Sequence, residues 1–301
     1  MRICVTDSGL GGLSVCAALE RRLARASLAQ DVELLYLNAA LEDHYAYNSM
    51  PNDETRLSAF DAFLGIVRDR YRPDILFIAC NSLSVLYERT SFASAGDLQV
   101  EGIVDTVKQQ AMKSIEARSG GHVVVFATPT TVDSGVYGRF LRGALGDSTR
   151  VVEQACPGLP DAIANDHSGE ECRALLQEFV PQALDQFEQA PEQVTAVLGC
   201  THYAYQEPVF ASELRRYVAD VQVVNPNPLA ADAIASRITG QGDGGRLTVR
   251  FLTRYTIPDL PMRSLPLYLG QSAPRTVTAL LNFEQDVDLC GSLEQIRGWC
   301  P

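Results

Sequence analysis

Two apolar runs that each end in a cysteine constrain the fold of this chain most. Residues 75–79 lead into Cys80, and residues 194–199 lead into Cys200. Each run has the length and composition of a buried strand, and a predicted helix follows each cysteine. Ligands bind at the carboxyl ends of strands in α/β sheets. The sequence therefore predicts two thiols, one from each half of the chain, that face one substrate from opposite sides.

A pair of thiols on opposite sides of one carbon favours racemisation. One thiolate removes a proton from one face of the carbon, and the other thiol returns a proton to the opposite face. No cofactor takes part in such an exchange. A helix amino terminus lowers the pKa of a cysteine below its usual value of about 8.5. Because a predicted helix follows each cysteine, we expect the pKa values of both thiols to be lowered.

The rest of the chain alternates strand-like and helical segments. Apolar residues recur at helical spacing over residues 53–71, and Pro73 ends that helix. This alternation predicts βαβ units and a mainly parallel sheet in each half. Residues 240–245 are a loop by composition, and the tail after Arg246 has strand-like pieces without a predicted place. The other predicted strands are residues 3–6, 32–37, 123–127, 150–154 and 221–226, with a crossing between the halves at 101–107.

Composition excludes several classes of protein. The 301 residues suffice for two domains, and 46% of them are hydrophobic, as in a globular protein with a core. A net charge of −12 argues against nucleic acid as a main partner. No apolar run approaches the roughly 20 residues that span a bilayer, so we expect no membrane partner. Because the amino terminus enters a strand directly, without the pattern of a signal peptide, we expect a cytoplasmic protein with reduced thiols.

The eight cysteines and the glycine-rich segment give weaker signals. The cysteines show no C-x-x-C spacing, and no cluster of His and Cys has metal-ligand spacing, so no metal is expected. Cys156 is a rival third thiol, but Pro157 follows it. Gly9, Gly11 and Gly12 match a dinucleotide fingerprint poorly, because Ser14 occupies the place of its third glycine. We expect these glycines to let the backbone approach a small anionic group.

Four segments resemble glutamate racemases of the cofactor-independent aspartate/glutamate racemase superfamily. The resemblance covers about residues 2–232 in matching order, and the two cysteine motifs together are highly specific. The matching segments are residues 7–15 (DSGLGGLSV), 79–82 (ACNS), 198–203 (LGCTHY), and Thr128, Thr131 and Ser134 of a T-x-x-T-x-x-S pattern.

The resemblance implies a fold and a domain arrangement. It implies an α/β protein of two flavodoxin-like parallel-sheet domains related by pseudo-symmetry, with the active site in the cleft between them. We expect the first domain at residues 1–105 and 220–301, and the second at 106–219. It also implies an isomerase of amino-acid metabolism and peptidoglycan synthesis that needs neither metal nor pyridoxal phosphate. The implied partner is a small amino-acid substrate, and the resemblance leaves open whether the chain forms a homodimer.

The resemblance also implies a role for individual residues. Cys80 and Cys200 are the implied acid/bases, with Asp7 beside the first thiol and His202 beside the second. From the residues alone, Asp7 also fits a helix N-cap, and His202 fits a buried hydrogen-bonding residue. The implied substrate-binding residues are Ser8, Tyr45, Ala46, Asn81, Ser82, Thr128, Thr131 and Thr201.

Several positions depart from the family pattern and put the substrate in question. The usual Pro-Tyr-Gly is His44-Tyr45-Ala46 here, and Asn38-Ala39-Ala40 stands soon after the second strand, where an aspartate is expected. The glutamate expected beside His202 aligns with Ala164, for which Asp161 or Asp166 are candidate replacements. Tyr203 is followed by Ala204 rather than proline.

Alternative functions therefore remain open at this stage. Aspartate or another amino acid is the second candidate substrate. A related enzyme that forms a carbanion for decarboxylation or isomerisation is another alternative. A binding or regulatory protein that kept the cleft and lost turnover is the alternative outside enzymes.

Overall fold

Two parallel sheets organise the described part of the chain. The computed structural model describes residues 1–43, 45–96, 98–118, 121–146, 149–238, 244–292, 294–295 and 298. The strands of the first sheet are β1 (Arg2–Asp7), β2 (Val32–Asn38), β3 (Ile75–Ile78), β4 (Val100–Gly102), β9 (Leu247–Thr253) and β10 (Glu284–Gln285). They lie in the order β10-β9-β2-β1-β3-β4.

The second sheet repeats the strand order of the first. Its strands are β5 (Gly121–Ala127), β6 (Thr149–Ala155), β7 (Gln193–Gly199) and β8 (Asp220–Val224). Their order is β6-β5-β7-β8. Counted within each half, both sheets therefore read second, first, third, fourth, which is the flavodoxin-like order. The predicted α/β architecture of two related halves is confirmed, and the point at which the strand order reverses lies between β1 and β3 in one half and between β5 and β7 in the other.

Helices connect the strands and cover both sheets. The helices of the first half are α1 (Leu13–Leu23), α2 (Asp53–Ile66), α3 (Asn81–Tyr87), α4 (Ser91–Ala95) and α5 (Ile103–Glu116). Those of the second half are α6 (Pro129–Ser134), α7 (Val136–Leu145), α8 (Leu159–Asn165), α9 (Glu170–Leu184), α10 (Glu207–Leu214) and α11 (Asn227–Ala235). The last two are α12 (Asp259–Leu269) and α13 (Pro274–Leu281), and short 3-10 helices cover Tyr47–Ser49 and Thr201–Gln206.

Burial on both faces explains the unbroken apolar run of β3. Ile75 and Phe77 pack into one hydrophobic cluster, and Leu76 and Ile78 pack into another on the opposite face. Successive side chains of a strand point to opposite faces, so a strand covered on both sides must be apolar throughout. In β7, Val194, Ala196 and Leu198 pack into one cluster and Val197 packs into another.

The predicted helix over residues 53–71 is confirmed, with a change of geometry at its end. The Asn52 side chain caps α2 by accepting a hydrogen bond from the Thr55 backbone N–H at 2.9 Å. A π-helical turn continues the helix over Val67–Tyr71, and Arg72 ends it with a φ of 47°. Pro73 then prevents continuation of the helix.

A shared core joins the two halves. One hydrophobic cluster contains Val5 of β1 and Val125 of β5, together with side chains of α1, α5 and α11. The predicted crossing at 101–107 covers the end of β4 and the start of α5, which leads from β4 to β5. The domain division at residues 105 and 219 stays a prediction. The hydrogen bonding of β8 to β7 puts the strand Asp220–Val224 in the second sheet.

The tail after Arg246, which the sequence left unplaced, completes the first sheet. β9 pairs with β2 in parallel, and β10 pairs with β9. Most of the predicted loop at 240–245 lies outside the described residues. Within the described residues, no helix combines the length and apolar character needed to cross a membrane.

Candidate active site

The carboxyl ends of β1, β3, β5 and β7 bring the predicted site residues together. Thr201, which follows β7, donates a hydrogen bond to Asp7 at the end of β1, with an oxygen-to-oxygen distance of 2.8 Å. Ser82, which follows β3, bonds Thr128 at the end of β5, also at 2.8 Å. These two contacts link the first sheet to the second, so the site lies between the halves.

Cys80 lies at the start of α3 and is almost fully buried, with 6% of its surface exposed. Its Sγ is 3.1 Å from Ser8 Oγ, and the Leu83 backbone N–H also donates to the sulfur. Burial, followed by the charge of the nearby Asp7 carboxylate, raises the pKa of this thiol to about 12. In the closed site Cys80 is therefore a neutral thiol at pH 7.

Cys200 occupies the corresponding position in the second sheet and is 8% exposed. Its Sγ lies 3.9 Å from Nδ1 of His202, whose backbone N–H donates to the same sulfur. Burial, followed by the charge of Asp7, raises the pKa of Cys200 well above its usual value. Burial lowers the pKa of His202 to about 4, so its imidazole is neutral at pH 7.

The predicted lowering of both thiol pKa values is wrong for this closed site. Both cysteines do precede helical turns, but α3 spans only Asn81–Tyr87, and the turn after Cys200 is a 3-10 helix. Removal of the sulfurs from water outweighs what such short helices contribute. The Cys80 charge also raises the pKa of Cys200. This coupling opposes ionisation of both thiols at once.

The carboxylate of Asp7 contacts both cysteine motifs. It is 2% exposed and accepts hydrogen bonds from Thr201, from Cys80 and from the backbone N–H groups of Gly9 and Gly12. Burial raises its pKa to about 6, and these hydrogen bonds partly oppose that rise. Asp7 is therefore mostly ionised at pH 7. Its hydrogen bonds with backbone N–H groups agree with the capping interpretation as well, so the two interpretations are compatible.

The glycines after β1 lie against the second cysteine motif, and their predicted approach to a small anionic group stays a prediction. A Cβ at Gly11 would lie 2.6 Å from Nδ1 and 2.7 Å from the backbone N of His202. A Cβ at Gly9 would lie 3.4 Å from the Cε1 of the same ring. Glycine is required here because the 7–12 segment packs directly on the second cysteine motif.

Polar side chains of both halves form a cluster beside Cys80. The hydroxyls of Ser82, Thr128 and Thr131 lie within hydrogen-bonding distance of one another, at 2.8 to 3.2 Å. Asn81 accepts a hydrogen bond from Tyr137, while its Nδ2 is buried and unpaired within the described structure. The cluster therefore offers several donors to a carboxylate.

The loop that aligns with Pro-Tyr-Gly is only partly described. His44 lies outside the described residues, and Tyr45 packs against the hydrophobic cluster that contains Cys80. Ala46 has a φ of −105°, which an alanine adopts without strain. The alanine at this position therefore fits the backbone as well as a glycine would.

Two of the residues that depart from the family pattern, Asn38 and Ala164, are buried in the structure. Asn38 is fully buried next to Asp7 in the β1–β2 register, and its amide donates to Thr253 Oγ1 and to the Tyr255 hydroxyl, each at 3.3 Å. Ala164 is buried within α8. The Asn38 side chain donates two hydrogen bonds through its NH₂ group, and an ionised aspartate at this position would have no N–H to donate.

Asp166 does not replace the glutamate missing at Ala164. Its carboxylate accepts hydrogen bonds from Ser168 N at 2.9 Å and from Glu171 N at 3.1 Å, at the start of α9. Asp161 is exposed on α8. Across the described residues, no carboxylate contacts the His202 ring, and only burial shifts its pKa.

Sequence reasoning missed three residues around the site. Tyr137 donates to Asn81, and Tyr205 donates to the Leu10 carbonyl at 3.2 Å. Asn227 donates to the Thr201 carbonyl at 3.0 Å. Tyr137 and Tyr205 are indistinguishable in sequence from ordinary core tyrosines. Asn227 precedes a proline at the start of a helix, which predicts a helix start and nothing more.

Cys156 and the surface cavities lie apart from this cluster. Cys156 is sealed in the core of the second half, next to Tyr203. Cavities of about 450 and 430 Å³ open on the surface away from the two thiols, the first beside Leu28 and Arg275 and the second beside His122 and Phe187. The site itself is closed over the two thiols, which are only 6% and 8% exposed.

Comparison with known proteins agrees with this geometry. Residues 5–234 match the profile of the family described as Asp/Glu/Hydantoin racemase. The chain is 27% identical to the glutamate racemase of Aquifex pyrophilus over 275 residues, which is 91% of this chain and 96% of that protein. It is 31% identical to the glutamate racemase of Ruegeria pomeroyi over 82% of this chain and 91% of that protein.

Solved structures show the same fold. The structure of the Aquifex pyrophilus glutamate racemase superposes with a TM-score of 0.62 at 25% identity and covers 90% of this chain and 95% of that one. A glutamate racemase isoform from Bacillus anthracis superposes with a TM-score of 0.65 at 23% identity, covering 89% of this chain and 93% of that one.

Proposed function

The chain belongs to the Asp/Glu/hydantoin racemase family, and we propose that it interconverts L- and D-glutamate by two-thiol proton transfer at the α-carbon, without a cofactor. One observation carries the proposal: Cys80 and Cys200 follow the third strand of each half, and Asp7 acts electrostatically on both. The names of curated relatives that match nearly the whole chain support glutamate as the substrate.

The proton transfer uses one thiolate and one thiol. With Cys80 ionised, its sulfur takes the α-proton and leaves a carbanion stabilised by the adjacent carboxylate of the substrate. The carbanion then takes the proton of the Cys200 thiol on its opposite face, which leaves Cys200 as the thiolate. The reverse reaction starts from that state. One proton is gained and one is lost by the substrate, and its configuration is inverted.

Ionisation of the first thiol requires help, because burial opposes it in the closed site. The substrate ammonium is a cation beside the sulfurs, and a nearby positive charge lowers the pKa of a thiol. Asp7 contacts Cys80 and His202 lies next to Cys200, so each thiol has one proton acceptor at hand. We assign the carboxylate and the neutral imidazole these two roles.

Fixed donors would hold the substrate carboxylates. The unpaired Nδ2 of Asn81 and the hydroxyl cluster of Ser82, Thr128 and Thr131 are preorganised before a ligand arrives. Such donors stabilise charge that develops in the transition state. Ser8, Thr201 and the Tyr45–Ala46 segment complete the proposed binding surface.

A second candidate is a binding protein of this family without turnover. Ala164 favours it, because His202 then lacks a carboxylate that would stabilise its protonated form. The retention of both thiols with their adjacent acceptors favours the racemase. Aspartate remains the second candidate substrate.

We also propose a homodimer in the cytoplasm. Leu260 and Leu267 lie seven residues apart on α12, and 58% and 59% of their surfaces are exposed, so they share an apolar face. Both catalytic thiols must stay reduced, which a cytoplasmic location ensures. Light scattering of the purified chain measures the oligomeric state directly.

Circular dichroism of single enantiomers tests the activity. Purified protein should abolish the signal of L-glutamate and of D-glutamate and approach the same racemic end point from both sides. Parallel samples of L- and D-aspartate test the second substrate. No change with any of the four amino acids, in protein whose thiols are shown to be reduced, would favour the binding protein.

A further inference from the structure

Asn227 connects the second cysteine motif to the first half of the chain. It starts α11 and is 2% exposed. Its Nδ2 donates to the Thr201 carbonyl at 3.0 Å and to Ser14 Oγ at 2.6 Å. Its backbone N–H donates to Asn225 Oδ1 at 3.1 Å, which holds the residue in place. The side-chain amide of Asn227 is therefore held in place while it donates to the peptide group next to Cys200.

That peptide group also serves the sulfur of Cys200. The Thr201 carbonyl and the His202 N–H belong to one planar unit, whose two groups point in opposite directions. The His202 N–H donates to Cys200 Sγ. A donor on the carbonyl oxygen therefore fixes the direction of the N–H and polarises it toward the sulfur.

The Oδ1 of Asn227 has no hydrogen-bond partner within the described structure. A buried polar atom without a partner is costly. The amide is therefore present for its two N–H donors, since an apolar residue of similar size would avoid that cost.

We propose that Asn227 is a positioning residue for Cys200, which orients the Thr201–His202 peptide so that its N–H favours the thiolate form of the sulfur. This inference rests on the proposed function in one respect, namely that Cys200 acts as an acid/base. Cys80 takes its N–H donors from Ser8 and Leu83, which Asn227 does not touch. The effect of Asn227 should therefore be confined to one of the two thiols.

A purely structural role is the alternative. Ser14 Oγ also donates to the Gly11 carbonyl at 2.7 Å, so Asn227 and Ser14 together join α1 to the second half. Loss of that contact alone would loosen both thiols. A replacement at Ser14 removes this arm and leaves the bond from Asn227 to Thr201.

The variants must leave the charges around Cys200 unchanged. The titratable groups that interact with it include Asp7, Cys80, Cys156, His202, Tyr137 and Tyr203. Asn227→Leu is neutral, fills most of the volume and excludes water from the Thr201 carbonyl. Asn227→Ala is a second neutral variant in case leucine prevents folding.

The test is the rate of alkylation of each cysteine at one fixed pH. The full chain reacts with iodoacetamide at pH 8, where both thiols are mostly protonated and the rate is proportional to the thiolate fraction, and peptide mass spectrometry gives a separate rate constant for Cys80 and Cys200. In Asn227→Leu, the rate constant of Cys200 should fall about tenfold, because loss of a hydrogen bond to a charged group raises the thiol pKa by about one unit. The rate constant of Cys80 should stay unchanged. Ser14→Ala should leave both rate constants within about twofold of the wild type.

The outcomes separate the positioning role from the alternatives. A fall of both rate constants together, or no change at Cys200 in a folded variant, overturns the proposal. A fall at Cys200 in Ser14→Ala as large as in Asn227→Leu also overturns it. The alkylation assay requires no turnover, so it can fail while racemase activity stands. The enantiomer assay can equally fail while the alkylation assay succeeds.

Discussion

The carboxylate of Asp7 accepts a hydrogen bond from the hydroxyl of Thr201 at 2.8 Å, across 194 positions of sequence. Asp7 ends the first strand, and Thr201 directly follows Cys200. The bond thus joins the two sheets next to both thiols. It explains why one buried charge raises the pKa of Cys80 and of Cys200 together.

Asp7 should make stability depend on pH in a defined window. Burial raises its pKa from 3.8 to about 6 in the folded protein. The folded state therefore binds the proton more tightly, and this contribution is complete below about pH 4 and is lost as the pH rises through 6. Relative to Asp7→Asn, the wild type should lose about 3 kcal/mol of unfolding free energy as the pH rises through this window. Urea unfolding at pH 4 and pH 7 measures it, and a pH-independent difference would contradict the burial of a titrating carboxyl.

The acid limb of the pH–rate profile should come from Asp7. Its pKa is about 6, whereas burial holds the pKa of His202 at about 4. The profile of kcat/KM reports groups of the free enzyme, so activity should fall below about pH 6. The limb should persist in His202→Asn at lower overall activity. A limb that disappears in this variant would assign it to the imidazole instead.

Gly11→Ala should destabilise the protein and reduce activity. The added methyl group would lie 2.6 Å from the His202 ring nitrogen, so the second cysteine motif must move. We expect a loss of about 1–3 kcal/mol, as for other overpacked sites. The control is Gly65→Ala within α2, where a Cβ meets nothing within 4 Å. That change should stabilise by about 0.4–1 kcal/mol in thermal unfolding, and equal effects of the two variants would refute the close packing at Gly11.

Tyr137→Phe should weaken the binding of glutamate more than it lowers the stability of the folded protein. It removes the hydroxyl that donates to Asn81, whose Oδ1 is then left without that donor. A buried acceptor that loses its donor costs about 1–3 kcal/mol. The freed amide would also turn away from the substrate, so KM for glutamate should rise several-fold. An unchanged KM would show that Asn81 is held by its helix alone.

Much of the site could be predicted from the sequence, because strand ends are easy to recognise. The apolar runs before Cys80 and Cys200 place both thiols at the carboxyl ends of parallel strands. The alternation of strands and helices then gives the α/β fold. The polar residues that follow the strands, such as Ser82 and Thr128, meet across the two halves as a consequence.

The rest depends on tertiary packing that local patterns do not encode. The direction of the thiol pKa shifts follows from burial between the halves, which outweighs the short helices after each cysteine. The partner of Gly11 is His202, far away in sequence, and no spacing rule predicts it. Asp166 could be placed correctly only once its hydrogen bonds at the start of α9 were seen.

Solvent deuterium incorporation at the α-carbon tests the two-thiol mechanism most directly. In D₂O, wild-type protein should place deuterium at Cα of the product enantiomer from either L- or D-glutamate, before any label accumulates in the remaining substrate. Cys80→Ser and Cys200→Ser should each reduce racemisation sharply, while Cys156→Ser, at a sealed core thiol, should retain it. In each of these two variants, exchange of the Cα hydrogen with solvent deuterium, without inversion, should persist for only one enantiomer of glutamate. The enantiomer that exchanges in Cys80→Ser should be the opposite of the one that exchanges in Cys200→Ser. Near-normal racemisation by either Cys80→Ser or Cys200→Ser would contradict the mechanism.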